Sequence, residues 1–212
     1  MFKFITPLNV LIVAVILTAT YAVWLTYENW SLRSRLAQAA PGHELQASQE
    51  QAANLDVVMF YDYSCPYCLS ADPTLQNAIE IDGKVKLRYK FVPLINERSE
   101  HAARLAFAAG QQDAFVEVHM FLVRNPDIPL DAENIQQIAE ELGLDYQQLD
   151  ADMNSDNATQ VLRENVSLML KMNIERTPTF VMNNVPYVPD VTLDEAKFLE
   201  LFEKARNSEP LN

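Results

Sequence analysis

VVMFYDYSCPYCL, residues 57–69, runs out of one kind of local structure and into another. Val57 to Tyr61 is a continuous β-branched, aromatic and apolar run, as in a strand buried on both faces of a sheet. The run stops at Ser64, and Cys-Pro-Tyr-Cys follows where a helix can begin. With Pro66 in the first helical turn, where its missing N–H costs nothing, Cys65 sits at the helix N-terminus with unpaired backbone N–H groups aimed at its sulfur. That position favours the thiolate, the form that attacks disulfides. Cys68, three residues on, stays on the same side of the helix and can close a ring with Cys65. The pair suits a dithiol that passes between reduced and oxidised forms.

Cys65 and Cys68 are the chain's only cysteines. A structural zinc site would need two further ligands; there is no second cysteine pair, and His43, His101 and His119 are too widely spaced for a finger pattern. A static disulfide is the other bland reading. CxxC directly after a strand favours redox chemistry over both, so neither metal nor cofactor is expected.

FYDYSCPYC, the later strand KVKLRYKFVPL and RTPTFVMNN follow one another in an order that resembles the DsbA-like branch of the thioredoxin superfamily. The likeness covers residues 55–206 and implies an α/β thioredoxin fold, 55–96 and 174–206, with a helical domain, 97–173, inserted. It implies Cys65 as nucleophile, Cys68 as resolving cysteine and Pro178 as a cis-proline facing them. The backbone at Thr177 would then pair with an extended client segment and hold a client cysteine against Cys65. Pro66, Tyr67 and Arg176 would tune the site. Tyr67 stands where strongly oxidising relatives carry histidine, which implies milder oxidising power. Arg176 stands where relatives often have glycine; pointed at Cys65 it would stabilise the thiolate, and on the surface it would have no such role. Met59 replaces a buried acid that many relatives carry, leaving water or a backbone group as the base.

A net charge of −13 argues against nucleic acid as a partner, since phosphate binding needs a concentrated positive surface. Ile5 to Leu25 is long and apolar enough to cross a bilayer as a helix, with Trp24, Tyr27 and Trp30 placed for an interfacial belt. Residues 1–27 are therefore expected to anchor the chain in the membrane. The rival is a signal peptide cut at Thr20-Tyr21-Ala22. Residues 28–54, rich in Ala, Gln, Ser and Glu around Pro41-Gly42, read as a tether. An oxidising dithiol belongs outside the cytosol, so the expected placement is a single-pass inner-membrane protein with its catalytic domain in the periplasm.

Within the domain, the helix from Cys65 should run to Gly83 with Pro73 inside it. Asp62 or Ser64 is the expected cap or turn residue. Lys84 to Val92 alternates: Val85, Leu87, Tyr89 and Phe91 face a core, whereas Lys84, Lys86, Arg88 and Lys90 face solvent at a sheet edge. Helices should open at Ser99, Asp113, Asp131, Asp145 and near Asp156, with His101, His119 and the methionines as packing or surface groups. Asn183-Asn184 suits a tight hairpin leading to Val185–Val188, and Thr192-x-x-Glu195 a capping box for the last helix. The expected activity is thiol-disulfide exchange with client proteins, most simply as an oxidase reset by a redox partner. The alternatives are a disulfide isomerase or reductase, or an envelope chaperone that uses the same groove without chemistry.

Overall fold

The computed structural model describes residues 14–24, 27, 44–45, 53–189 and 193–211. The chain divides into two units, 1–39 and 40–212. In the first, residues 14–24 form a helix, α1, in which the Thr18 and Thr20 hydroxyls donate to the carbonyls of Val15 and Leu17. Much of the Ile5 to Leu25 run and most of the 28–54 tether lie outside the described residues. Among the described residues no helix is long and apolar enough to cross a membrane.

The second unit is built on a mixed five-stranded sheet ordered β1-β3-β2-β4-β5. Its strands are β1 (Glu44–Leu45), β2 (Leu55–Tyr61), β3 (Val85–Phe91), β4 (Thr179–Met182) and β5 (Val185–Tyr187). β2 and β3 are parallel, with Tyr61 opposite Phe91, while β4 runs antiparallel to β2 with Thr179 opposite Phe60. Helix α2 (Pro66–Asp82) joins β2 to β3 and ends at Gly83, whose φ of 69° satisfies the helix C-terminus from a left-handed position. Five helices separate β3 from β4: α3 (Glu97–Gly110), α4 (Phe115–Arg124), α5 (Ala132–Leu142), α6 (Tyr146–Met153) and α7 (Asp156–Lys171). Helix α8 (Glu195–Arg206) closes the fold. Phe60, Phe180, Phe198 and Phe202 are fully buried, each side chain contributing about 1.5–3 kcal/mol.

Asp131 and Asp145 cap α5 and α6 by accepting from the N–H groups of Asn134 and Gln148. Elsewhere the caps differ from expectation. Asn96, not Ser99, caps α3, because the Ser99 hydroxyl is committed to Asp62 Oδ1 at 2.6 Å. Asp113 takes a φ of 56° ahead of α4 instead of capping it, whereas α7 begins at Asp156 as expected, with Ser155 as its cap. Asp194 caps α8; Thr192 lies outside the described residues. Asn183 and Asn184 both adopt positive φ, 49° and 66°, as a two-residue hairpin between β4 and β5 requires.

β3 is the largest departure. It is not the sheet edge along its whole length, since β1 pairs with it at Leu87 and Arg88. Its lysine-rich face is not uniformly solvated either: Lys90 is 5% exposed. α7 packs there, anchored by the Asn165 side-chain amide, which donates to the Phe91 carbonyl at 3.1 Å. Burial pushes the Lys90 ammonium down to about 8, against the opposing pull of Glu164.

Candidate active site

The strand-to-helix junction places the cysteines. Cys65 is the N-cap of α2, with extended backbone (φ −85°, ψ 113°), and Pro66 is the first helical residue. No side chain caps this end, so the first-turn N–H groups remain for the sulfur. Cys65 is 4% exposed, Cys68 is fully buried, and Tyr67 between them is 67% exposed. Both cysteines are thiols. The Thr177-Pro178 peptide bond is cis, and the Cys65 sulfur lies 3.4 Å from the Thr177 carbonyl oxygen.

The two sulfurs have opposite acidities. Cys65 is drawn down to about 6, chiefly because the Cys68 thiol donates to its sulfur. The Thr177 hydroxyl and the backbone N–H groups of Cys68 and Tyr67 add to this, and burial opposes it. Cys68 is pushed far up, first by burial and then by the adjacent Cys65 sulfur. At neutral pH the geometry therefore offers a thiolate on the nearly buried Cys65 and a protonated thiol on the fully buried Cys68. Arg176 is exposed and is not among the main groups acting on Cys65, a place taken by Thr177.

Asp62 neither caps α2 nor faces solvent. It is 1% exposed, and its Oδ1 accepts from the Ser64 N–H at 2.8 Å and the Ser99 hydroxyl at 2.6 Å. Its Oδ2 accepts from the N–H groups of Leu94 and Ile95 at 2.8 and 3.2 Å. One carboxylate thus ties the end of β2 to the loop after β3 and to α3, holding the insertion beside the dithiol.

A second polar cluster, missed in the sequence, lies below the cysteines. Asp72 is one turn after Cys68 on α2, and both are fully buried. Asp72 accepts from Tyr89 Oη and, at 2.8 Å, from Gln76 Nε2. His119 Nε2 lies 3.1 Å from Asp72 Oδ2, and its Nδ1 lies 2.7 Å from Tyr63 Oη. Nε2 is placed to donate to Asp72, and Nδ1 shares the other hydrogen bond with the Tyr63 hydroxyl. His119 is therefore the hub of a buried polar network, not simple packing. The available signals were an aspartate on the buried side of α2 and a histidine among Phe115, Val118 and Leu122 on α4. Among the described residues no group of three or more His, Cys, Asp or Glu side chains is placed to hold a metal ion.

Comparison with known proteins places this site in context. Residues 56–205 match the family described as DSBA-like thioredoxin domain. A thioredoxin-like oxidoreductase from Silicibacter pomeroyi DSS-3 superposes with a TM-score of 0.68 at 30% identity, covering 79% of this chain and 94% of its own. The catalytic domain of Proteus mirabilis ScsC superposes with a TM-score of 0.69 at 23% identity, covering 84% and 96%. The chain is also 25% identical over 186 residues to Na(+)/H(+) antiporter NhaA 3 of Salinispora tropica. That match takes in 78% of this chain but spans only 28% of the antiporter's length.

Proposed function

The chain belongs to the family of DSBA-like thioredoxin domains, and on that premise we propose that it oxidises client proteins by exchanging a Cys65-Cys68 disulfide with their cysteines. A client thiolate attacks Cys65 of the disulfide, the Cys65–Cys68 bond breaks, and a mixed disulfide forms with Cys68 leaving as a thiolate that then takes up a proton. A second client thiolate then attacks the client sulfur and releases the dithiol, which a redox partner returns to the disulfide.

The observation that carries this reading is the asymmetric pair: a thiolate held at about 6 on Cys65 above a buried Cys68 whose thiol stays protonated. A stabilised thiolate favours the reduced form, so its disulfide is the better oxidant. Thr177, whose carbonyl lies 3.4 Å from the Cys65 sulfur, is placed to meet the main chain of an extended client, with Pro178 buried behind it. Tethering to the inner membrane with the domain in the periplasm completes the proposal. It draws on the apolar Ile5 to Leu25 run and on the chemistry of a dithiol that must remain oxidised.

The test is to trap the redox state of Cys65 and Cys68 in cells by acid quenching and alkylation, and to isolate mixed disulfides from a Cys68→Ala variant. A mainly oxidised pair, with clients linked through Cys65, is expected. A pair that is reduced throughout growth overturns the oxidase direction, and Cys68→Ala material free of adducts overturns the exchange itself.

A further inference from the structure

Cys65 reaches its place at the head of α2 through a tight turn. The Cys65 N–H donates to the Asp62 carbonyl at 3.0 Å, and the Ser64 N–H donates to Asp62 Oδ1 at 2.8 Å. Asp62 therefore holds the turn with its main chain and its side chain at once. The turn sets the extended backbone of Cys65 and with it the direction of the sulfur, whose partners are Thr177, with its carbonyl at 3.4 Å, and the N–H groups of Tyr67 and Cys68. The same carboxylate reaches far along the chain, accepting from the N–H groups of Leu94 and Ile95 and from the Ser99 hydroxyl. Four donors need four lone pairs, which an ionised carboxylate has; the amide oxygen of asparagine has two. Hydrogen bonds to a charged acceptor are the strong ones. These fasten the Cys65 turn to the loop after β3 and to the first turn of α3, so the turn cannot shift without breaking them.

Resting on the thiol exchange proposed above, we propose that Asp62 is a positioning residue for that reaction: its carboxylate clamps the turn that carries Cys65 to the frame of the helical insertion, and so keeps the Cys65 sulfur in register with the helix N–H groups and with Thr177. Asp62 touches no reacting atom. It acts through the backbone, because its charge is not among the main groups acting on Cys65, and a carboxylate acting through space would oppose the thiolate. A displacement of the sulfur by about 1 Å is enough to break hydrogen bonds of this kind. Cys68 is the one titratable side chain among the main groups acting on Cys65, and none of the four donors on Asp62 titrates. A change in Cys65 ionisation on altering Asp62 therefore reports a change in where the sulfur lies.

The test mixes the reduced full-length chain with the chromogenic disulfide 5,5′-dithiobis(2-nitrobenzoate) and follows thionitrobenzoate release by stopped flow from about pH 4.5 to 9. Attack by the Cys65 thiolate gives the first release, whose rate rises through a midpoint set by Cys65 ionisation, about 6 in the native chain. Asp62→Asn keeps the size of the side chain but has too few acceptors for its four donors, and the midpoint should move up by about one unit. A through-space effect of the charge predicts the opposite sign, since removing a carboxylate eases ionisation. A purely structural role predicts a lower thermal midpoint with the kinetic midpoint unmoved. If Asp62→Asn does not fold, Ser99→Ala decides: it keeps the charge, removes one donor from Oδ1, and should move the kinetic midpoint up by about 0.3 unit. A midpoint that stays or falls in the deciding variant, with a native chain that releases two thionitrobenzoates, overturns the positioning role and leaves the exchange reading intact. A native chain that releases only one overturns the exchange reading itself, and the positioning role with it.

Discussion

In the proposed exchange Cys65 is the reacting sulfur because several weak donors converge on it. The Cys68 thiol, the Thr177 hydroxyl and two backbone N–H groups together outweigh its burial and bring it to about 6. Ultraviolet absorbance of the thiolate near 240 nm, followed against pH in the reduced chain, should show one ionisation near 6, absent in Cys65→Ser. Thr177→Val keeps the shape but removes one donor to a charged acceptor, so the ionisation should rise by about one unit. A Thr177→Val curve that overlays the native one would remove Thr177 from the balance. At pH 7 the native shift, discounted for partial solvent screening, favours the dithiol by about 1 kcal/mol, or roughly 20 mV of oxidising power. This residue was legible in the sequence because its motif is contiguous: strand, cysteine, proline and helix follow one another in thirteen residues. Thr177 as a tuning group was not. Its proximity to Cys65 is made by folding across 112 positions, and Arg176 next to it carried the more obvious charge.

At the scale of elements, the helices were readable from Asp131, Asp145 and Gly83, since caps and stops act within a turn of themselves. What covers a face was harder to read. The period-two alternation of β3 separates two faces correctly, but alternation alone does not reveal that α7 lies on the lysine side over Lys90. A lysine held at about 8 is destabilising below that pH and is relieved as pH rises towards its ordinary value of 10.5. Lys90→Met should therefore stabilise the fold at pH 7 by about 1–2 kcal/mol, measured by urea unfolding. A loss of stability would mean that the ammonium has a compensating role. The Asp72 network is harder still to read, because the turn after β2, α2, β3 and α4 each contribute part of it. Asp72→Leu leaves Tyr89, Gln76 and His119 without their acceptor and should cost about 3 kcal/mol or more. The Asp72→Leu/His119→Leu pair should cost less than the sum of the singles, which a double-mutant cycle in urea measures directly. Strict additivity would show that the two side chains do not act as a unit.

Across the whole molecule, the two redox forms differ near neutrality in one ionisable group. Cys65 ionises near 6 in the folded dithiol and near its ordinary value of 9.0 when unfolded. Between those values the unfolded chain holds a proton that the folded chain lacks, so the stability of the dithiol rises with pH. The contribution is complete above the unfolded value and is lost as pH falls through 6. Cys68 stays protonated in the fold, so it is silent until its unfolded counterpart begins to ionise above about pH 8.5, where the trend reverses. The disulfide form has neither proton, and the other titrating groups are common to both forms and cancel in the difference. Unfolding free energies of the dithiol and disulfide forms, measured in parallel, should therefore move apart in favour of the dithiol by about 2 kcal/mol between pH 6 and 8.5, after discounting for screening. Parallel curves would mean that the folded chain does not hold Cys65 as a thiolate. The oxidising direction would then lose its driving force even with the cysteines in place beside Thr177 and Pro178.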